Sequence, residues 1–228
     1  MSRYINPDSD GKFYSLNDMA RTDCHDCTGC SDCCEGMGDS ILIDPYDIYQ
    51  FNQNLFSFDQ LLSKGYIELS LDKGLIVPHI KMSDFTDTCP FLKEKRCSIH
   101  DYRPGMCRLF PLGRDYTEGK LEYILLDKSC PKTDRSKVKI NKWIGIEPAK
   151  KYHEYLQAWH DFRRQMAEVI AAATEEQAQE LTMRIMHSFY VSDYTVDRDF
   201  YEQFNERVNM YKRAFNLRDT SIRTLQSI

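Results

Sequence analysis

The 228-residue chain has no internal repeat, no low-complexity tract and no apolar run of the roughly 18 residues that a membrane-spanning helix requires. It has no surplus of positive charge either: 30 Lys and Arg stand against 35 Asp and Glu, for a net charge of −5. A nucleic-acid or anionic-membrane binder needs a concentrated basic face, so neither partner is expected. The opening residues show no basic stretch followed by an apolar one, so export is not expected and the cytoplasm is. Catalytic signatures are missing as well. Gly36-Met-Gly38 lacks the third glycine and the preceding strand of a dinucleotide fingerprint. G-x-S-x-G and H-E-x-x-H do not occur. No catalytic residue is therefore nominated.

What the chain does have is cysteine, nine in all. Five fall in Cys24-His-Asp-Cys27-Thr-Gly-Cys30-Ser-Asp-Cys33-Cys34, and four follow as Cys89, Cys97, Cys107 and Cys130. An exported disulfide framework is the first reading to weigh. The count is odd, no export signal is visible, and the adjacent Cys33 and Cys34 are poorly placed to bridge each other. Thiolates are the softest ligands a protein owns, and two-residue gaps let one turn aim several sulfurs at a common point. The spacing reads as a metal trap.

Around the cysteines the pattern predicts an α+β fold. It comprises a small, irregular, metal-stabilised cysteine domain with short strands and helices over 1–140, then a helical extension of about three helices over 141–228, frayed after about 216. Residues 1–23 read as polar and irregular. Ile41-Leu-Ile43 predicts a short strand, and Asp44-Pro45 a capped helix to about Asn52. Ser57 and Gln60 have capping-box spacing for a second helix ending near Gly65. Ile67–Leu71 and Leu75–Ile80 flank a hairpin turn at Asp72-Lys-Gly74. Cys89 to Pro111 alternates short turns with cysteines, and Leu121 to Leu126 predicts a last strand pair. Farther on, Tyr152, Tyr155, Leu156, Trp159, Phe162, Met166, Val169 and Ile170 have the three-and-four spacing of an amphipathic helix. Thr174 with Gln177 caps a second through about Phe189, and Tyr201, Phe204, Val208, Tyr211 and Phe215 stripe a third. Such aromatic stripes predict core.

One ion cannot easily take the whole first cluster. On a helix Cys27, Cys30 and Cys34 share a face and Cys33 is rotated off it; in an extended segment Cys33 and Cys34 point apart. The downstream cysteines are expected to complete one or two sites. Eight thiolates suit two tetrahedral zinc ions, two iron–sulfur clusters, or one cluster beside free thiols. The repeat of Cys24, Cys27, Cys30 and Cys33 every three residues is nearer to the ferredoxin run than to a zinc ribbon, and Pro90 and Pro131 each follow a cysteine as proline does there. The spacing of a radical S-adenosylmethionine site is absent, because Met37 stands where its third cysteine would be.

Taken in order, these residues resemble a known family. They are Cys27-Thr-Gly-Cys30-Ser-Asp-Cys33-Cys34, Cys89-Pro-Phe-Leu, Cys97-Ser-Ile-His-Asp-Tyr-Arg103-Pro104-Gly-Met-Cys107-Arg108-Leu-Phe-Pro111 and Cys130-Pro131. The match is to the YkgJ family, the C-x-x-C-x-x-C-C zinc- or iron-chelating domain, over about 24–131. The resemblance implies a bacterial cytoplasmic metal protein with Cys27, Cys30, Cys33, Cys34, Cys89, Cys97, Cys107 and Cys130 as ligands. A relative with the same cysteine core, the flagellin lysine N-methylase, implies a 4Fe–4S cluster and methyl transfer. Cys24 and the helical extension fall outside the resemblance.

The intervening residues fit a buried anionic centre. A site with four thiolates around zinc, or around a 4Fe–4S core, carries a charge near −2 and needs donors and cations about it. Arg103 and Arg108 flank Cys107 and are expected to contact the bound group. Pro104 can start a short helix whose amides face a sulfur. His25 and His100 are weaker candidates for ligation than the cysteines. Asp23, Asp26, Asp32 and Glu35 make the first cluster acidic, which favours a bound cation but is expected to be a solvated loop. The expectation is an iron–sulfur protein, 4Fe–4S before zinc, in redox or electron transfer. An iron–sulfur oxidoreductase, a cluster-dependent methyltransferase and a structural-zinc interaction module stay open, with an unknown protein or small molecule as partner.

Overall fold

The structure, a computed structural model, describes residues 3–24 and 30–218. Its architecture is α+β, with short strands in small sheets and helices that dominate the C-terminal part. Two compact units divide the chain. The first joins residues up to 68 to residues 78–153, and the second joins 69–77 to 154 and beyond.

In the first unit, local chemistry sets the helices where the sequence places them. Asp44 caps α1 (Pro45–Asn54), its side chain accepting from the Tyr46 and Asp47 amides, while Asp47 returns a bond to the Asp44 amide. Pro45 costs nothing at the first helical position, where its missing N–H would have had no partner. Ser57 and Gln60 close the same reciprocal box on α2 (Phe58–Ser63). The expected strand at 41–43 is reduced to a single bridge between Leu42 and His79, with Ile41 and Ile43 both buried.

The hairpin of β3 (Ile67–Asp72) and β4 (Leu75–Ile80) forms as predicted. Its turn needs the left-handed region at Lys73 and Gly74, at φ of 51° and 82°. Three other strand readings are corrected. Residues 1–23 hold β1 (Phe13–Tyr14) and β2 (Met19–Asp23) rather than an irregular tail. Leu121 to Leu126 supplies one strand, β8 (Glu122–Leu125), not a pair. It lies between β1 and β7 (Leu112–Asp115), both antiparallel to it. An unpredicted strand, β9 (Ser136–Lys139), pairs with β2 from Met19↔Lys139 to Asp23↔Ser136 and runs directly into α4 (Ile140–Ile144). Arg135 locks that join: buried, it donates to the carbonyls of Arg21 at 3.0 Å and Cys130 at 3.3 Å and pairs with Asp127.

The cysteine-rich stretch adds β5 (Leu92–Lys93), β6 (Arg96–Cys97), a 3-10 turn at His100–Tyr102 and α3 (Gly105–Leu109). α5 (Ala149–Ala171) follows.

From Glu154 on, α5 belongs to the second unit, with α6 (Glu175–Met186), a π-helical turn at His187–Val191 and α7 (Phe200–Phe215). Most of the striped aromatics from Tyr155 on are its core, as predicted, but Tyr201 is half-buried and Phe215, at the end of the third stripe, is exposed. Tyr155 meets Phe204 at 4.7 Å between centroids, and Trp159 and Phe162 each meet Phe189 at 5.0 Å. The hairpin tip packs in the same unit, where Thr182 donates to the Gly74 carbonyl at 2.6 Å. Among the described residues no helix is long and apolar enough to cross a membrane.

Candidate metal centre

Three stretches of the first unit converge through backbone hydrogen bonds. Residues Asp32–Cys34 form a 3-10 turn, with the Cys34 amide on the Ser31 carbonyl at 2.7 Å. The Cys34 carbonyl then accepts from the Cys89 amide at 2.8 Å, and the Gly36 amide donates to the Asp87 carbonyl at 2.8 Å. This short ladder lays the first cysteine cluster against the second. Cys89 starts a turn that accepts from Leu92, and β5 pairs with β6 so that Leu92 lies opposite Cys97. The Phe91 carbonyl accepts both the amide and the hydroxyl of Ser98, which fixes the chain just after Cys97. Pro104 then caps α3, which carries Cys107.

The result is a cavity of about 120 Å³ lined by Cys30, Cys33, Cys34, Cys89, Cys97 and Cys107. Ile41, Ile80, Met82, Phe91, Ile99 and Trp143 supply an apolar wall, and Lys95, Arg96 and Arg103 a cationic one, with His100 among them. Six of the eight expected ligands therefore share one space. Cys27 lies outside the described residues, as do His25 and Asp26. Cys130 is buried and does not line the cavity. Cys24, outside the eight-cysteine pattern, is also buried, at 3 % exposure, and its charge acts on Cys33.

The thiols' electrostatics show what the cavity lacks by itself. Burial pushes the Cys89, Cys97 and Cys107 thiols up, Cys107 the furthest, and each is pushed further by neighbouring cysteine sulfurs. Cys33 and Cys34 share a hydrogen bond that splits the pair. Cys33 is lowered to about 7, with Arg103 assisting, and Cys34 is raised. Crowded, buried thiols resist ionising unless a cation joins them, and a soft metal ion is the cation such a donor set fits. Among the described residues no three Cys, His, Asp or Glu side chains are already drawn together tightly enough to grip one ion. The donors thus form a lined cavity rather than a closed coordination shell.

The neighbouring charges sort themselves. Arg103 is in the wall, beside His100, and its charge helps to lower Cys33 and offsets part of the rise that burial imposes on Cys97. Arg108 is not a lining residue. It braces the loop instead, donating to the carbonyl of Arg103 at 3.1 Å and to that of Asp101. Pro104 does begin a short helix, but the amide of its first residue, Gly105, serves the Asp47 carboxylate at 2.8 Å rather than a sulfur. Two of the acidic residues are engaged by serines: Glu35 accepts from Ser31 at 2.6 Å and Asp23 from Ser136 at 2.9 Å. Asp32 accepts from the Cys30 thiol at 3.4 Å. Lys95 and Arg96 were missed from the sequence, although they immediately precede Cys97. Trp143 lies 36 positions beyond Cys107, and no local signal brings it to the wall.

Comparison with known proteins bears on this same stretch. Residues 26–131 match the model of the CxxCxxCC family, described as a putative zinc- or iron-chelating domain. No curated protein and no solved structure matches the chain. The match begins just after the buried Cys24 and ends just after Cys130, so that the stretch similar to the CxxCxxCC family contains the whole lined cavity except Trp143.

Proposed function

We propose that the cavity holds an iron–sulfur cluster, 4Fe–4S in preference to zinc, and that the protein serves in redox or electron transfer. The observation that carries this reading is the convergence of six thiols on one cavity. Zinc and a 4Fe–4S core each take four thiolates, but a cavity of about 120 Å³ between the sulfurs, with Arg103 in its wall, suits a larger anionic group better than a single ion. Four of Cys30, Cys33, Cys34, Cys89, Cys97 and Cys107 would ligate it, one to each iron, and Cys27 and Cys130 complete the family pattern. Arg103 would offset its negative charge and the apolar wall would keep water from it. A bound cluster supplies one-electron chemistry. Clustered free thiols of this kind belong in a reducing compartment, so the cytoplasm remains our assignment.

Anaerobic purification after expression with ample iron tests this. The protein should be brown, with iron and acid-labile sulfide in matching amounts and visible absorption that bleaches on reduction. Colourless protein carrying stoichiometric zinc and no iron would overturn it. A second reading, a cluster-dependent enzyme that modifies a protein or small molecule, is favoured by the wall of Ile41, Met82, Phe91 and Trp143 facing the same space. A carrier cycles between oxidised and reduced forms without substrate, whereas an enzyme's cluster changes its magnetic spectrum when substrate is added.

A further inference from the structure

Behind the part of the wall that carries Cys107, side chains from three elements close on a single glycine. Gly105 opens α3, and its amide donates to Asp47 Oδ1 at 2.8 Å. The other Asp47 oxygen accepts from the Asp44 amide at 3.0 Å. Arg114, on β7, donates to the Tyr152 hydroxyl at 3.3 Å and lies 3.9 Å from Asp44. A Cβ placed on Gly105 would overlap the Tyr152 hydroxyl and come within 2.9 Å of Arg114 Nη2. No side chain larger than hydrogen fits there without displacing one of them.

Asp47 sits in an unfavourable place for a carboxylate. Burial and the neighbouring Asp44 push its carboxyl well above the usual range, against the pull of its two amide partners and Arg114. Capping α1 does not require this, since a residue at the third helical position can reach the cap amide from the surface, as Gln60 does on α2. What the buried position adds is the second bond, from Asp47 to Gly105. Pro104 has no N–H, so the Gly105 amide is the first donor of α3. Its partner sets where that turn begins, and Cys107 lies two residues on.

We propose that Asp47, Arg114 and Tyr152 form a socket for Gly105 that positions Cys107 at the cavity, with Asp47 as the positioning residue. The proposal rests on the reading of the cavity as a metal centre. Asp47 cannot be replaced by asparagine without loss. Both of its oxygens accept from amides, and an asparagine would turn an NH₂ toward one of those donors.

The test uses full-length wild type, Asp47→Ala, Gly105→Ala and the double variant Gly105→Ala/Tyr152→Phe. Each is reconstituted anaerobically with ferrous iron and sulfide, and separately with zinc. In the metal-free reduced protein, the rate at which iodoacetamide alkylates each cysteine is read by mass spectrometry. Asp47→Ala and Gly105→Ala should each weaken metal binding by about tenfold, the scale of one buried hydrogen bond lost. Each should also speed alkylation of Cys107 while leaving Cys130 unchanged. Removing the Tyr152 hydroxyl clears the closer overlap and leaves only the flexible end of Arg114 to give way, so the double variant should recover part of the way toward wild type in both readouts. The proposal is overturned if Gly105→Ala behaves as wild type, if the double variant is no better than Gly105→Ala, or if every cysteine is exposed alike. A wild type that takes up neither metal, with Cys107 alone made reactive by Asp47→Ala, would sink the metal reading and leave the socket standing.

Discussion

Cys24 and Cys130 are the two described cysteines that are buried without lining the cavity, and they part company with the other six on position alone. Cys30, Cys34, Cys97 and Cys107 come from each of the converging stretches and face a common space, so a serine at any of them removes a donor from the shared set. Metal binding at such a site is also folding free energy. Each of these four substitutions should therefore lose most of the bound metal and leave residues 30–110 more open to protease, measured by metal per chain and limited digestion. Cys24→Ser should be mild in metal content, because Cys24 does not line the cavity. Equal metal loss from Cys24→Ser and Cys30→Ser would place Cys24 in the ligand set. The sequence shows nine cysteines and the order in which they come; it does not show which of them turn toward one another. That depends on the bond from Cys89 to Cys34, across a long excursion of chain that no spacing rule describes.

The elements that were legible are those whose signals are local. Asp44-Pro45, Ser57 with Gln60 and Thr174 with Gln177 each carry their cap within three residues, and all three helices start where those caps put them. The hairpin at Lys73-Gly74 and the aromatic stripes of α5 and α7 are of the same kind. β1, β2 and β9 were not legible, because they are two to five residues long and find partners more than a hundred positions away, as Met19 does in Lys139. The tight turn between β5 and β6 is a local feature that the sequence hides. Its central residues, Glu94 and Lys95, hold φ of 49° and 59°, a region that suits Asn-Gly in a two-residue hairpin. An L-residue with a long side chain pays roughly 1–2 kcal/mol for that conformation. Glu94→Asn should accordingly raise stability by about 0.5–1 kcal/mol in thermal or denaturant unfolding, asparagine being the residue that best tolerates the region after glycine. Glu94 is exposed and does not line the cavity, so metal content should be unchanged. A fall in stability would mean that the Glu94 side chain does something in the turn that outweighs the strain.

At the scale of the whole molecule, the N-terminal segment is held to the three-stranded sheet by a clip of charge. Arg3 pairs with Asp115 at 2.5 Å and Glu122 at 2.7 Å, and its guanidinium lies 3.2 Å from the centre of the Phe13 ring. Burial alone would raise Asp115, but bonds from Thr117 and Arg3 hold it below its ordinary value, and Arg3 and Lys120 do the same for Glu122. Both carboxyls therefore bind protons more readily in the unfolded chain. Their contribution is complete above the ordinary carboxylate range and is lost as pH falls through the lower folded values, below about pH 4. Acid should release the N-terminal segment before the rest of the unit, seen as early cleavage within residues 3–14, and Arg3→Ala should remove that acid sensitivity by cleaving equally at neutral pH.

The three stretches that line the cavity lie far apart along the chain, and any group bound by all of them is a cross-link as well as a ligand. It ties Cys30–Cys34 to Cys89, Cys97 and Cys107, and so closes a ring of chain that contains α1, α2 and the β3–β4 hairpin. A cross-link acts chiefly by taking freedom from the unfolded chain, and that loss grows only with the logarithm of ring length, about 0.6 kcal/mol for each doubling. Nearly all of the benefit comes from closing the ring at all, and little from how many residues it holds. The exposed turn at Gly65, inside that ring, is accordingly a place where chain can be added at little thermodynamic cost while the cross-link stands.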